Sequence, residues 1–599
     1  MRIRAGDIAL WALVAALLVA LWPRWSAPPL EHHSWRQSLA ASVARSYRCG
    51  APFARPRVDA CGPGPGDGTV AMEFPGYAWL MAAAAGPFGA HGGERFVVFG
   101  AAAWALLALA GLARRLAGGL DETAVSAGGA LAAGTCLAAP FFVFYSGTLL
   151  PDGVAYGLGL GGAALVLAGD AEGRPGRMAM GSLVLSAGIA TKLVAAPLLA
   201  LTGALLVGRA LAAPREARGA AWARLALHLA LAAALPAAWY LGWVPRLQAS
   251  STCRLFWLAP QDGLSGLDRA LPGKIHFRLG TLLGDPGRIA LYLLALPAAL
   301  ALRWRSLAVL ALWIASAALW ALLGWHHDVH DYDGLVLLPP AALTAGTGLA
   351  WLASRLPPVA RAPAAVALPL LLALPRLAWA RAEVERWRWN EPEVPALALL
   401  ASELDLLLPP EAAVLAPGAG QDPRLSYFAG RAALNSDRLD CGRRQPLDCA
   451  VVLEAGKPAC GRAGTSAFLP DATLTCGLAG GSLAPLRARL AGVLSPGDGR
   501  LVPGLGRYLG FAARHREGGR ARVDLWFEAA GDRLDLSRLA APAPPQGPPL
   551  SPPPGTLFAV RVPLAQPGGF RVSIDGTPVE GVTADADALE ARCVARSAP

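Results

Sequence analysis

Ionisable side chains stand next to long apolar runs at five places along the chain. The five stretches are 31-EHHSWRQ-37, 72-MEFPGY-77, 149-LLPDG-153, 190-ATK-192 and 326-HHDVHDYDG-334. An ionisable group at the centre of a membrane helix costs roughly 2.5 to 3.5 kcal/mol on insertion scales, so each stretch calls for a functional explanation. We expect all five stretches to lie at the outer face of a membrane.

The carboxylates in these stretches are suited to proton transfer. Glu31, Glu73 and Asp152 can each deprotonate an acceptor, which is the task of a general base. The cations and hydrogen-bond donors near them are Arg36, Lys192, His33 and His330. Such groups suit a phosphate that departs with negative charge. Acids and cations at the level of the lipid head groups therefore favour group transfer from a lipid-phosphate donor.

Each of these residues also has a structural interpretation. Glu73 can cap the helix that follows it, and Asp152 can be a first-turn charge that the helix dipole stabilises. Lys192 can extend its ammonium group from the end of a span to the interface. The heptad 31–37 alone is also compatible with an amphipathic helix on the membrane surface.

The histidine-rich stretch 326–334 has a second alternative. His326, His330 and Asp331 have the chemistry of metal ligands, but neighbouring positions in one loop are weak evidence for a site, and a solvated turn explains them equally well. We therefore predict no cofactor and no metal ligands, and leave a divalent metal open.

The composition of the chain is that of an integral membrane protein. Of its 599 residues, 54% are hydrophobic and only 16% are charged, which is too apolar for a soluble multidomain protein. The net charge of +11 comes from arginines scattered between apolar runs. Because no basic and aromatic patch accompanies them, we predict membrane lipid as their partner and exclude nucleic acid.

Eleven apolar segments are predicted to span the membrane. They are residues 8–22, 95–113, 123–145, 152–169, 178–191, 193–211, 222–243, 287–303, 306–325, 334–353 and 363–380. Arginine clusters recur after every second crossing, so we place the N-terminus in the cytoplasm and the C-terminus outside. The first outer loop is then residues 23–94, and its apolar part 75–90 predicts an interfacial or re-entrant helix.

The sequence becomes more polar after the last predicted span. Residues 1–380 form the predicted transmembrane domain, and residues 381–540 form a soluble outer domain of α/β or mostly β type. A proline-rich linker follows at 541–555, and a small strand-forming segment at 556–599. None of the nine cysteines forms a C-x-x-C motif, so we predict a compartment that permits disulfides.

Short motifs follow one another in a characteristic order. A first span precedes H-x-W-R-Q in a long outer loop, followed by E-F-P-x-Y before an apolar helix, Arg95, L-P-D at a span start, T-K, and finally H-D-Y at residues 330–332. This order resembles the bacterial polyprenyl-phosphate-dependent glycosyltransferases of the GT-C type, relatives of the protein O-mannosyltransferases and of the lipid A aminoarabinose transferase. The resemblance covers about residues 1–380 and implies a GT-C like fold.

The resemblance also implies roles for individual residues. It places Glu73 near the donor phosphate and the acceptor, Asp152 in the second outer loop, and Lys192 near the lipid phosphate. The predicted catalytic carboxylates are therefore Glu73, Asp152 and Glu31, and the predicted donor-binding residues are Arg36, Gln37, Lys192, His33, His330, Asp331 and Tyr332. Members of the family commonly carry an aspartate shortly after the glutamine, where Ser38 and Leu39 stand in this sequence. Either one of the three carboxylates takes that role, or the protein serves a different acceptor.

We thus predict a multi-pass enzyme of the bacterial cytoplasmic (inner) membrane. It would transfer a hexosyl or pentosyl group from a polyprenyl-phosphate sugar to an acceptor outside the cell membrane, with inversion at the anomeric carbon. Two alternatives stay open at this point. One is a transporter or flippase, although no acids in the middle of spans and no internal repeat are visible. The other is a noncatalytic GT-C relative in envelope glycan assembly.

Overall fold

The computed structural model describes residues 4–25, 29, 31–58, 68–250, 271–322 and 331–387, and short segments between residues 397 and 580. The described residues form two compact units. The first lies within Met1–Ala44, Ala71–Ala249 and Phe256–Asn390, and the second within Arg45–Val70, Ser250–Leu255 and Glu391–Pro599. The described residues among 45–70 of the predicted first outer loop thus group with the described residues of the C-terminal part. The predicted domain boundaries stay predictions.

Helices build the first unit. In sequence order they are α1 Ala5–Leu21, α2 Ser34–Arg48, α3 Gly76–Phe88, α4 Ala90–Leu116, α5 Glu122–Leu137, α6 Pro140–Tyr145, α7 Pro151–Ala171, α8 Pro175–Thr191, α9 Pro197–Ala212, α10 Arg215–Pro236, α11 Val244–Ser250, α12 Leu271–Leu302, α13 Ser306–Leu322, α14 Leu338–Ser354 and α15 Pro358–Trp387. Short 3-10 helices lie at Trp22–Arg24, Leu193–Ala195, Arg303–Arg305 and Asp331–Leu337.

Eight segments among the described residues are long and apolar enough to cross a membrane. They are Ala5–Arg24, Ala90–Leu116, Pro151–Ala171, Leu193–Ala212, Arg215–Ala249, Leu271–Leu322, Tyr332–Ser354 and Pro358–Trp379. The eleven predicted spans each overlap a helix. The counts differ because Leu271–Leu322 contains both α12 and α13, and because α5 and α8 have only 16 and 17 residues. The predicted class, an α-helical polytopic membrane protein, is confirmed.

Proline and aspartate define where several helices begin. Pro151 stands in the first turn of α7, where a residue without a backbone N–H leaves no donor unsatisfied and its fixed φ suits the helix. At α5, the side chain of Asp121 accepts hydrogen bonds from the backbone nitrogens of Thr123 and Ala124, at 3.0 and 3.1 Å. The start of α7 at Pro151 places Asp152 in its first turn.

Glycine allows α7 and α8 to pack backbone against backbone. A Cβ atom added at Gly162 of α7 would lie 2.4 Å from the backbone nitrogen of Leu185, and one added at Gly188 of α8 would lie 2.7 Å from that of Gly159. Neither contact leaves room for a side chain, which is the usual way in which membrane helices approach closely. This antiparallel pair brings the end of α8, and Lys192 after it, beside the start of α7.

Strands dominate the described part of the second unit. They are β1 Val414–Leu415, β2 Ala433–Leu434, β3 Cys449–Val452, β4 Ser466–Phe468, β5 Thr473–Thr475, β6 Ser495–Pro496, β7 Leu501–Val502, β8 Gly506–Glu517, β9 Arg520–Ala529, β10 Leu539–Ala540, β11 Leu557–Pro563, β12 Arg571–Ile574 and β13 Thr577–Glu580. One sheet has the order β2-β1-β3-β5-β4-β11-β9-β8-β6, with β7 also paired to β8, and a second has the order β10-β12-β13. The helix α16 is Pro423–Ala429.

Arg45 ties the end of α2 to C-terminal residues of the same unit. The guanidinium of Arg45 donates hydrogen bonds to the carbonyl oxygens of Tyr427 and Ser426, at 2.9 and 3.2 Å, and lies 5.6 Å from the centre of the Tyr427 ring. Tyr47 donates to the carbonyl oxygen of Phe53, and Cys49 is disulfide-bonded. Arg45 therefore anchors the start of this part of the outer loop within the second unit.

Candidate functional site

Glu31 lies between two guanidinium groups. Its side chain is 1% exposed, and its carboxylate lies 3.0 Å from Nε of Arg24 and 4.0 Å from Nη1 of Arg95. The two arginines also donate hydrogen bonds to backbone carbonyls, Arg24 to that of Phe144 near the end of α6 and Arg95 to that of Gly147 between α6 and α7. Glu31 thus joins the end of α1, the start of α4 and the segment before α7, which favours a positioning role for it.

Gln37 connects the first outer loop to the L-P-D stretch. Its Nε2 donates a hydrogen bond to the carbonyl oxygen of His32, and its Oε1 accepts one from the backbone nitrogen of Leu149, both at 3.0 Å. Because both ends of the amide are occupied in this way, Gln37 holds α2 against the residues that precede Asp152. Its side chain is completely buried.

Aromatic rings gather beside the start of α2. The ring centroids of His33 and Tyr332 are 5.1 Å apart, and those of Tyr145 and Tyr332 are 5.7 Å apart, both pairs edge to face. His33 has a φ of 61°, a left-handed conformation that few residues other than glycine adopt and that costs on the order of 1–3 kcal/mol. The surrounding contacts therefore impose this orientation on the His33 ring.

Arg36 and Glu73 form a buried ion pair between Nη2 and Oε1. Burial alone raises the pKa of the Glu73 carboxyl, but the positive charges of Arg36 and Lys192 outweigh burial and hold that pKa below its usual value. Burial lowers the pKa of Arg36, but the Glu73 carboxylate more than compensates and raises it above the ordinary value. Both groups are therefore charged at neutral pH.

Backbone contacts with the end of α8 hold the E-F-P stretch in place. The nitrogen of Phe74 donates to the carbonyl oxygen of Ala190 at 3.1 Å, and the hydroxyl of Tyr240 donates to the same oxygen at 2.7 Å. The indole nitrogen of Trp239 donates to the carbonyl oxygen of Met72 at 3.0 Å. Trp239 and Tyr240 belong to a π-helical segment, Ala237–Trp243, that follows Pro236, and such segments are frequent at functional sites.

Lys192 is the centre of a second group of charges. Its Nζ lies 2.8 and 3.0 Å from the two carboxylate oxygens of Asp152, 3.7 Å from Oδ1 of Asp333, and 3.8 Å from the centre of the Tyr332 ring. Asp152 is fully buried and Asp333 nearly so. Lys192 itself has extended backbone between α8 and the next 3-10 helix, so the break in the helices presents its side chain to α7.

The structure brings most of the predicted site residues together. Glu73, Asp152, Lys192, Arg36 and Tyr332 are linked by the two charged groups and the ring contacts, and Glu31, Gln37 and His33 surround them. His330 and His326 lie outside the described residues, and Asp331 is the first residue of the 3-10 helix Asp331–Leu337. Their predicted roles stay predictions, as do those of all residues of the site.

Sequence reasoning missed three residues of this arrangement. Asp333 belongs to the same H-D-Y stretch as Tyr332, so its place two residues after Asp331 was a usable signal. Arg24 follows the first apolar run and Tyr145 ends an aromatic run, but nothing in their local sequence indicates their distant partners. Among the described residues, no group of three histidine, cysteine or acidic side chains is arranged to hold a metal ion.

The helical bundle, with charged residues at the starts and ends of its helices, has a fold like that of a solved glycosyltransferase structure. It is similar to the crystal structure of ArnT from Cupriavidus metallidurans bound to undecaprenyl phosphate, with a TM-score of 0.52 and 14% identity over 79% of this chain and 99% of that chain. The apo state of the same protein has a TM-score of 0.51 and 14% identity, and the match covers 79% of this chain and 98% of that chain. The crystal structure of the Archaeoglobus fulgidus oligosaccharyltransferase in complex with Zn and sulfate has a TM-score of 0.45 and 12% identity, and the match covers 75% of this chain and 68% of that chain.

These likenesses concern the fold, since the sequence identities are low. No family model matches the sequence, and no curated protein matches it. The GT-C like fold that the order of motifs predicted is confirmed by the similarity to ArnT, which extends over nearly the whole length of that protein.

Proposed function

We propose that this protein is a membrane glycosyltransferase that transfers a sugar from a polyprenyl-phosphate donor to an acceptor on the outer side of the membrane. One observation carries the proposal: the ion pair of Arg36 and Glu73 lies beside the Lys192, Asp152 and Asp333 group, within a fold similar to ArnT. One of the ArnT structures holds undecaprenyl phosphate, which supports a lipid phosphate as the donor.

The two cations are suited to bind the donor phosphate. Arg36 offers a planar guanidinium and Lys192 a compact ammonium, and both are partly held by carboxylates in the free protein. A phosphate that enters between them would exchange these contacts for charge-assisted hydrogen bonds to its own oxygens. Because the phosphate gains charge as it departs, the same contacts stabilise the transition state.

Glu73 is the carboxylate best placed to accept a proton. Its Oε1 faces Arg36, whereas its Oε2 accepts no hydrogen bond from the residues described. Glu31 is held by two arginines, and both oxygens of Asp152 face Lys192. When the donor phosphate draws positive charge away from Glu73, the pKa of Glu73 rises, and the carboxylate becomes a stronger base in the complex.

The transfer is a single displacement. The acceptor oxygen or nitrogen attacks the anomeric carbon and gives its proton to Glu73, while the bond between that carbon and the phosphate oxygen breaks and the electron pair leaves with the phosphate. Attack opposite to the leaving group inverts the anomeric carbon. The rings of His33, Tyr145 and Tyr332 offer an aromatic wall for the sugar.

The outer face of the cytoplasmic membrane is the location that we assign to this site. The regular arginine clusters favour that orientation, and the disulfide at Cys49, in the predicted first outer loop, supports an oxidising compartment.

The test is transfer of labelled sugar from the polyprenyl-phosphate pool in membrane vesicles. The unaltered protein is compared with Glu73→Gln, Asp152→Asn and Lys192→Ala at matched expression. The control is Glu122→Gln, which removes an exposed carboxylate that pairs with Arg4. We expect the three site variants to lose transfer by about a hundredfold or more, and the control to keep it. If turnover of the lipid-linked sugar is the same with and without the protein, the proposal is wrong and a transport or noncatalytic role is favoured.

A further inference from the structure

Two arginines share one buried carboxylate at the end of α7 away from the candidate site. Nη1 of Arg209 contacts Oδ2 of Asp170, and Nε of Arg224 lies 3.7 Å from Oδ1 of Asp170. The Asp170 side chain is 6% exposed, whereas both arginine side chains are 41% exposed. Asp170 therefore orients the two guanidinium groups and leaves part of each one accessible.

The position of this group is defined by the length of α7. Asp152 lies in the first turn of the helix and Asp170 in the last, and at 1.5 Å per residue they are about 27 Å apart along the axis. The hydrocarbon core of a bilayer is about 30 Å thick. The Asp170 group thus lies near one membrane boundary when the candidate site lies near the other.

The arginines line a cavity of about 330 Å³ between the ends of α7, α9 and α10. Asp170 and apolar residues, among them Leu206, Ala213 and Ala221, form the rest of its wall. At about 30 Å³ per water molecule, the cavity has room for about ten waters, and so for a phosphate diester with the atoms next to it.

Positive charge exceeds negative charge around the cavity. Arg115 and Arg305 both interact electrostatically with Arg209. The nearby Glu172 is engaged by Arg177 at 2.7 Å, so it does not offset Arg209 or Arg224 by direct contact. An anion that enters the cavity therefore meets two oriented guanidinium groups and a net positive field.

We propose that this cavity binds the phosphate head group of an anionic phospholipid from the membrane leaflet at that end of the helices. Basic pockets between helix ends, at the level of the head groups, are suited to such lipids. The same ends of α9 and α10 expose the apolar side chains of Leu211 and Trp222, which favours a ligand with acyl chains over a free phosphate. The proposal does not depend on the transferase activity.

The test uses the purified full-length protein in nanodiscs that contain phosphatidylcholine with a minor share of phosphatidylglycerol. Native mass spectrometry then measures which lipid stays bound. The double variant Arg209→Gln and Arg224→Gln is compared with the control Arg215→Gln and Arg218→Gln, which removes two exposed arginines of α10's first turn. We expect the cavity variant to lose phosphatidylglycerol retention by about tenfold or more, since a charge-assisted hydrogen bond from an oriented guanidinium to the phosphate contributes at least about tenfold in affinity. The control should retain it.

Two results would overturn the proposal. One is equal retention of phosphatidylglycerol by the cavity variant and the control. The other is equal thermal stabilisation of the unaltered protein by two conditions: inorganic phosphate added to phosphatidylcholine nanodiscs, and phosphatidylglycerol included in the nanodiscs. If the cavity variant does not fold, lipid retention by the unaltered protein is the test. Equal retention of phosphatidylglycerol and phosphatidylcholine then excludes the site.

Discussion

Replacing Lys192 by methionine separates its electrostatic role in the fold from its role in transfer. The ammonium group lies 2.8 Å from Asp152 and 3.7 Å from Asp333, and both carboxylates are buried. At 2.8 Å and an effective dielectric constant of about 20, the attraction between Lys192 and Asp152 is about 6 kcal/mol before the cost of desolvation. Removal of one partner from a buried pair costs about 3–5 kcal/mol, because the other charge is left unpaired.

The second part of the design is the double variant Lys192→Met and Asp152→Asn. The asparagine removes the nearer of the two carboxylate charges that Lys192→Met leaves without the ammonium group, so we expect thermal stability to recover part of what Lys192→Met loses. Transfer by the double variant should stay below that of Asp152→Asn alone, because the departing phosphate also lacks the ammonium group, and loss of one such group costs about a hundredfold to a thousandfold in kcat. The assays are thermal unfolding in detergent and transfer of labelled sugar in vesicles.

Either of two results refutes this reasoning. If the double variant regains transfer together with stability, Lys192 serves only to neutralise Asp152, and the assignment to the donor phosphate is wrong. If Lys192→Met unfolds at the same temperature as the unaltered protein, the buried carboxylates do not depend on the ammonium group. The control is Arg288→Met, which breaks the pair with the exposed Asp285 and should change neither property by much.

Three further predictions concern the residues around Lys192. Glu73→Gln should lower kcat by about a hundredfold to ten-thousandfold. Because the pKa of Glu73 is depressed in the free protein, its carboxylate persists as pH falls, and kcat/KM of the unaltered protein should decline only below the usual glutamate range. A decline of kcat/KM near neutral pH would contradict the assignment. Glu31→Gln should lower the free energy of unfolding by about 3–5 kcal/mol, since two buried guanidiniums lose their carboxylate; an unchanged unfolding midpoint would argue against a positioning role. Trp239→Phe removes the hydrogen bond to Met72 and should lower kcat while the unfolding midpoint changes little, which parallel kinetic and unfolding measurements will check.

The membrane helices could be predicted from the sequence because each one is a long apolar run. The start of α7 was also predictable, since L-P-D joins a helix-initiating proline to an acid of the first turn. The resemblance of the motif order to GT-C glycosyltransferases depended on the same local signals. Local composition therefore predicts the scaffold and the stretches that contribute to the site.

The partners of the site residues could not be predicted, because they come from distant parts of the sequence. Glu31 is close to Arg24 in sequence, but Arg95 reaches it only after the packing of α4. The end of α8 holds the E-F-P stretch through the carbonyl oxygen of Ala190, and a backbone atom leaves no signature in the sequence. For the same reason, the sequence could not indicate that Glu31 and Gln37 have their polar atoms engaged by the protein itself.

The contacts of Arg45 indicate which segments of the protein have to be exchanged together in a chimera. Because its guanidinium is held by the carbonyl oxygens of Tyr427 and Ser426, a chimera that replaces only the residues after 390 would remove the acceptors of this side chain. The described residues of 45–70 and of the C-terminal region group in one compact unit, so a graft of the C-terminal region has to carry both stretches, although more than 300 residues separate them in the sequence.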